Sequence, residues 1–448
     1  MQSTLDEAWT IARLAAPIAV AQFLVTSLGL VDVAVLGHAS PVDLAGASIG
    51  RSINFVGIAL GIGASIALEP LASQAVGAKE PREAWCAFLA SLVACTILWV
   101  PCAILAIAST WLLVPLGIEA DLVAPARSFL VPQLPGMLLF TLFLAAKTYL
   151  QAHKRTLPSL VAATSANIVN FVVCNLLVRG DEALTAVGLE PRGLPQLGAF
   201  GAGLASSVAS LVLAAVVFVP AWKMRPPDAP RGLRHLPVAK VLRLGTPVGL
   251  QLLAEIGVFS VVSVVAGRLG RTAVSAHQIA IGLSSFTFMG ALGISGATAV
   301  RVGHAIGERR PPRMPGLIGI GFGALFMGVC ALVFLTMPSF LVRLFTDDPE
   351  TVSLGVSLLG IAAAFQLFDG VQGVAAGALR GAGDVRFAFV ANVGAHWLVG
   401  FPLAIYLAFF LHRGTTGLWI GLLVGLFIVA SLLLYRFVTI AKKPLERV

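Results

Sequence analysis

Four acids, Asp32, Glu69, Glu255 and Asp369, lie inside runs of sequence that are otherwise apolar. Each calls for an explanation, because a carboxylate in hydrocarbon costs several kcal/mol even on a lenient insertion scale. Glu255 stands 12 residues before Gly267 and Asp369 stands 11 before Arg380, which puts them about 18 Å and about 16 Å from opposite helix ends. In an apolar layer about 30 Å thick, both fall near the midplane, so one site can hold both. Gln366, Asp369 and Gln372 recur every three residues, and Gln251 lies four before Glu255. Each set therefore shares one helix face, and that face points into the protein because lipid offers it no partner. Two close carboxylates in a low dielectric repel, so one keeps a proton or the pair holds a cation. Such chemistry couples ions; for Na+, Glu255 and Asp369 are the metal ligands.

Asp32 lies five residues before Gly37, about 7.5 Å from that helix end. It reads as a functional acid, with bracing of its own helix as the alternative. Glu69 precedes Pro70 and stands eight before Gly77, about 12 Å from the end there. It either lines a vestibule or reaches the headgroups or a basic linker residue. Asn167, Asn170, Asn392 and His396 read first as interhelical hydrogen-bonding groups and second as cavity contacts.

The elements that must position these groups are membrane helices. The chain has 448 residues, 58% hydrophobic and 11% charged, with a mean hydropathy of +0.94; it has too little polar surface for a soluble globule. Twelve runs reach the length of a span: 11–36, 44–77, 84–116, 128–150, 157–178, 197–222, 240–267, 272–304, 315–345, 352–379, 387–411 and 415–440. The second six repeat the first. Arg13-Leu14-Ala15-Ala16-Pro17 matches Arg243-Leu244-Gly245-Thr246-Pro247 at an offset of 230, as do Gly37 and Gly267, Gly63 and Gly293, and Gly77 and Gly307. Leu150-Gln151-Ala152 matches Leu379-Arg380-Gly381 at 229. The expected fold is an all-α integral membrane protein of twelve transmembrane helices, in two six-helix lobes related by an internal parallel repeat. The lobes are 1–222 and 240–448, joined by a proline-rich linker, 223–239, containing Pro226, Pro227, Pro230 and Pro237. The repeat does not duplicate the acids: Val262, Val25 and Phe140 stand where Asp32, Glu255 and Asp369 have their counterparts.

Charge gives the orientation. Of the 30 Lys and Arg, 22 belong to the connections on the side of both termini and 8 to the other side, so both termini are expected in the cytoplasm. The same distribution explains the net charge of +9 without a nucleic-acid partner. Cys86, Cys95, Cys102, Cys174 and Cys330 show no CxxC or Cys/His ligand spacing and read as small core residues. The first helix follows Asp6 and Glu7 rather than a basic segment, which argues against a cleaved signal peptide. An enzyme is not expected: the seven His are scattered, and HExxH does not occur. No cofactor is expected either, only a coupling ion.

Particular stretches resemble the multidrug and toxic compound extrusion (MATE) antiporters, especially their NorM-like branch. They are Leu30–His38, Pro70–Ala78, Ala254-Glu255, Phe368-Asp369-Gly370-Val371-Gln372 and Gly377–Asp384. The resemblance covers essentially the whole chain. It implies a monomeric, V-shaped pair of lobes in a bacterial inner membrane, exporting organic cations against inward Na+ or H+. It also implies that Glu255 and Asp369 are the cation-coupling acids, with Asp32 the important acid of the first lobe. Glu69 departs from the family pattern, where an apolar residue is expected before the proline. With three Tyr and 26 Phe, phenylalanine must supply the aromatic surface for flat lipophilic drugs. Gln251, Gln366, Gln372, Asn167, Asn170 and Glu69 are the remaining candidates for lining the cavity. The rival readings are a lipid-linked precursor flippase or a metabolite exporter of the same superfamily. A flippase would want a basic centre for pyrophosphate, whereas this midplane is acidic.

Overall fold

A bilayer leaves the backbone no partner but itself, so apolar runs of this length must be helical. The computed structural model of the protein describes residues 2–448 except Val187, Pro230, Arg231, Leu233 and Arg234; the linker proline Pro230 thus lies outside the described residues. Twelve helices are long and apolar enough to cross a membrane, matching the twelve runs. They are α1 (Thr4–Ala39), α2 (Pro41–Gly77), α3 (Pro81–Leu112), α4 (Ala120–Ala152), α5 (Leu157–Arg179), α6 (Gly198–Trp222), α7 (Val238–Gly267), α8 (Arg271–Gly307), α9 (Arg313–Thr336), α10 (Pro349–Gly381), α11 (Val385–Phe410) and α12 (Gly414–Ile440). Two short helices, Asp181–Ala186 and Pro338–Arg343, sit between α5 and α6 and between α9 and α10. No strand occurs among the described residues.

Local sequence sets where helices start and break. Ser40 caps α2 by accepting the Asp43 N–H at 3.2 Å, with Pro41 in the first turn, where its missing N–H costs nothing. The same helix is interrupted at Ala67, just before Pro70, which has no N–H to offer the preceding turn. In α11 the backbone widens to a π-helix over Gly394–Gly400 and again over Tyr406–Phe410, on either side of Pro402. A π register lets a helix carry a proline without a clash against the turn before it.

The repeat is visible in the backbone itself. Lys79 and Arg309 take left-handed angles, φ 62° and 58°, just past α2 and α8; Lys154 and Gly383, φ 60° and 84°, do the same past α4 and α10. In each case the following N–H reaches back five residues: Glu80 to the Ala75 carbonyl at 2.9 Å, Arg310 to Ala305 at 2.8 Å, Arg155 to Leu150 at 2.8 Å and Asp384 to Leu379 at 2.9 Å. Three of these four turns place a basic side chain at the negative end of the helix dipole.

By contact the chain forms two units. One comprises Met1–Val20, Glu69–Glu80 and Leu250–Val448, the other Ala21–Leu68 and Pro81–Gly249. Three helices pass from one unit to the other within three residues of a proline: α1 after Pro17, α2 before Pro70 and α7 after Pro247. In the second unit α4 is the central helix, packed on α2, α3 and α6; in the first its repeat partner α10 packs on α8, α9 and α12.

Close crossings use glycine, and they too come in repeat-related pairs. A Cβ on Gly63 would lie 2.6 Å from the Gly249 nitrogen, and one on Gly293 would lie 2.6 Å from the Ala19 Cα, 230 residues before Gly249. At the ends of α2 and α8, a Cβ on Gly77 would meet His304 (2.8 Å from its Cα). One on Gly307 would meet Ala78 (2.7 Å from its nitrogen) and the carbonyl of Gln74, the repeat partner of His304. Small residues at such positions let membrane helices touch backbone to backbone.

One loop yields a prediction of its own. The Asp181 carboxylate accepts the N–H groups of Arg192 and Gly193 at 2.9 Å and of Leu194 at 3.0 Å. These bonds, that from Arg192 foremost, hold its carboxyl below the usual carboxylate range. A depressed acid contributes order above its unfolded pKa, about 3.9, and the contribution is lost as pH falls through the folded value. Asp181→Ala is therefore expected to expose residues 190–194 to limited proteolysis at neutral pH while the helical circular dichroism stays unchanged. Cleavage no faster than in the parent would refute the anchoring role.

Candidate functional site

In the unit containing α7 to α12, the two midplane acids come together. Asp369 on α10 lies within electrostatic reach of the Glu255 charge on α7, and Glu255 also feels the Arg380 guanidinium. Asp369 is buried, whereas Glu255 is partly exposed. Asn392 of α11 donates from Nδ2 to Glu255 Oε2 at 3.2 Å, and Trp397 Nε1 donates to the Ala254 carbonyl at 2.9 Å, so α11 braces α7 at that level.

The glutamine stripe on α10 is buried, as its spacing requires: Gln366, Asp369 and Gln372 all face inward. Gln366 Nε2 donates to Thr287 Oγ1 of α8 at 2.6 Å. The opposite atoms of these amides are unsatisfied: Gln366 Oε1, Gln372 Oε1 and Asn392 Oδ1 are buried without a hydrogen-bond partner, as are both ring nitrogens of His396. Since a buried polar atom left unpaired costs about 1–3 kcal/mol, such a group of orphans marks an interior that receives water or a ligand. Gln251 sits one turn before Glu255 and is partly buried. Among the described residues, no three His, Cys, Asp or Glu side chains converge as a metal centre. The oxygen atoms present are two carboxylates and three amides, all hard donors of the kind that suit an alkali or alkaline-earth cation.

In the other unit, Asp32 is 3% exposed and fully engaged. It accepts from Asn170 Nδ2 at 3.0 Å and from Ser206 Oγ at 2.6 Å, and Arg51 Nη2 stands 3.6 Å away. Arg51 in turn donates to the Gly29 carbonyl at 2.6 Å and lies over the Phe129 ring. Asn167 does not reach this acid. It donates to the Leu24 carbonyl at 2.7 Å and accepts from Ser27 Oγ at 2.8 Å, tying α5 to α1 one turn away.

Glu69 is not at a headgroup or a linker residue. Its Oε2 accepts from Arg380 Nε at 3.0 Å, and both side chains are largely buried. Arg380 Nη2 also donates to Ser295 Oγ of α8 at 3.2 Å.

Arg51, Ser206 and the Glu69–Arg380 pairing escaped the sequence reading. Arg51 had a signal, as a lone base inside an apolar run; Ser206, in the run Gly-Leu-Ala-Ser-Ser, had none. The cysteines need a correction. Only Cys95 and Cys174 are buried, whereas Cys86, Cys102 and Cys330 are half-buried, and all five are free thiols. A helix in hydrocarbon can leave a thiol on its outer face at little cost, so an apolar run does not place it in the core.

The sequence profile of the MatE family matches residues 17–176 and 247–406, two stretches offset by 230 residues. The chain is 32% identical to the probable multidrug resistance protein NorM of Bradyrhizobium diazoefficiens, over 98% of this chain and 94% of that protein. It is 33% identical to the protein of the same name from Rhodopseudomonas palustris, over 95% and 90%. Among solved structures, the eukaryotic MATE transporter AtDTX14 superposes with a TM-score of 0.86 over 98% of both chains at 21% identity, which shows a common fold.

Proposed function

The chain belongs to the MatE family, and from that premise we propose that it is a secondary active multidrug efflux antiporter, exporting lipophilic organic cations in exchange for inward H+ or Na+. Its relatives are named for multidrug resistance, and the acidic interior complements a cationic cargo. In this reading residues 1–222 and 240–448 are the lobes, the linker 223–239 tethers them, and both termini are cytoplasmic in an inner membrane. A monomer suffices for the cycle.

The observation that carries the reading is the interacting pair Glu255 and Asp369, set among amide oxygens that have no partner of their own. An incoming proton or Na+ relieves the repulsion of the pair and is bound more tightly in one lobe state; the drug cation favours the other. Coupling is then a difference in affinity between two conformations, reciprocal by linkage. Asp32, held by Asn170, Ser206 and Arg51, is the corresponding acid of the first lobe, and its exchange of partners is tied to the same transition.

The test is efflux of an ethidium-type dye from proteoliposomes, driven by a Na+ gradient alone and then by a pH gradient alone. Efflux under one of them is expected and names the coupling ion. No efflux under either, with protein correctly inserted, would overturn drug antiport in favour of the flippase reading.

A further inference from the structure

Inside the unit that contains α10, the end of α2 from Glu69 to Glu80 is held by a set of polar contacts. Beyond the Glu69–Arg380–Ser295 chain, Gln74 is 1% exposed and bridges two backbones. Its Nε2 donates to the Gly381 carbonyl at 2.9 Å and its Oε1 accepts from the Val448 nitrogen at 2.9 Å. Arg447 Nη1 lies 3.1 Å from Glu80 Oε1. By the charge rule these are the cytoplasmic ends of α2 and α10.

The ion pair departs from the repeat around it. The counterparts of Glu69 and Arg380 are Ala299 and Gln151, an apolar residue and an amide whose Nε2 is buried without a partner. The neighbouring glycine contacts are reciprocal between the halves; the charge is present once. Arg380 also has a second acid within electrostatic reach, Glu255. Helical side chains lean toward the N-terminus, and Arg380 Nη2 accordingly reaches Ser295 Oγ, which donates to the Gly373 carbonyl of α10 at 2.7 Å.

We infer that the Glu69–Arg380 ion pair is a charge latch at the cytoplasmic ends of α2 and α10, which parts when the inner side opens, and that Glu69 is the positioning residue keeping the Arg380 charge off Glu255 and Asp369. The inference rests on the alternating-access reading above. When the pair parts, the Arg380 charge is no longer neutralised and acts across the interior on Glu255, weakening the hold of the acids on the bound cation. That links release of the ion to opening on the side where it is released. With the pair intact, Arg380 is neutralised and the acids are left to the incoming ion.

The experiment uses the full-length chain in inside-out vesicles with a reporter at Ala382→Cys, a position 8% exposed between Gly381 and Gly383. Its labelling by a membrane-impermeant maleimide is measured above that of the native cysteines, with and without dye and ion gradient. Glu69→Gln and Arg380→Gln are each expected to raise labelling about threefold to tenfold, with the double variant no higher than either single. Reporter labelling that responds to dye or ion in the parent, yet is the same in inserted single variants, would overturn the latch while leaving antiport intact; so would additive effects in the double variant. A parent reporter indifferent to both dye and ion would sink alternating access and the latch together. Should Glu69→Gln not insert, the exchange Glu69→Arg with Arg380→Glu decides. Parent-like labelling supports the pair, and raised labelling with efflux lost overturns it.

Discussion

Asp369→Asn is expected to lower ion-driven dye efflux by about two orders of magnitude, to the level of protein-free vesicles, while the protein remains in the membrane at its usual amount. The substitution keeps the size and burial of the side chain on α10 and removes the ionisable carboxyl on which the Glu255 charge acts. Without that carboxyl the inward ion binds the two lobe states alike, and an ion with no preference between states drives nothing, however steep its gradient. Glu255→Gln is expected to give the same loss, and the double variant no more, since the pair acts as a unit. Dye binding to detergent-solubilised protein should persist in all three, because the defect lies in coupling rather than in recognition. Parent-level efflux by inserted Asp369→Asn would remove this acid from the coupling site.

Gly63→Leu is expected to be just as damaging by a different route, lowering the amount of folded protein recovered from membranes about tenfold. A side chain there runs into the backbone of α7, with the Gly249 nitrogen 2.6 Å and its Cα 2.9 Å from the added carbon, besides the Gly245 carbonyl. Overpacking typically costs about 1–3 kcal/mol when side chains can yield. Here the obstruction is main chain in a rigid helix, which cannot turn aside. Gly293→Leu should match it, since Ala19 blocks the equivalent space with its own backbone. Gly321→Leu is the control, because nothing lies within 4 Å of a Cβ at that position. Normal recovery of Gly63→Leu with normal dye efflux would mean that α2 and α7 do not meet as described.

The part of the architecture that the bilayer dictates was legible in the sequence. Span number follows from apolar length, though the ninth run, 315–345, overran its helix, which ends at Thr336 where Pro338 starts a separate short helix; the paired motifs from Arg13 and Arg243 onward announce a duplication that the chain carries down to matched helix caps at Lys79 and Arg309. The common depth of Glu255 and Asp369 can be counted from helix ends, but depth alone does not say that the two side chains face one another. What the sequence does not encode locally is which faces of distant helices meet. Glu69 and Arg380 are 311 residues apart, and nothing around either residue names the other. Arg51, 3.6 Å from Asp32, does carry a local signal, because a base in an apolar run poses the same problem as an acid with the sign reversed. The π register of α11 was likewise hidden: Pro402 signals a disturbance without saying which way the helix relieves it.

The reciprocal contacts at Gly77 and Gly307 have a consequence for ancestry. Residue i of one half touching residue j of the other, while j touches i, is the signature of an isologous interface, the kind two identical subunits make about a two-fold axis. A six-helix chain bearing this one self-complementary patch would have assembled as a homodimer before fusion, with a single surface to optimise. Fusion then released each copy to diverge. A lone Glu69, Glu255 or Asp369 is something a symmetric dimer cannot possess, because every acid it gains it gains twice.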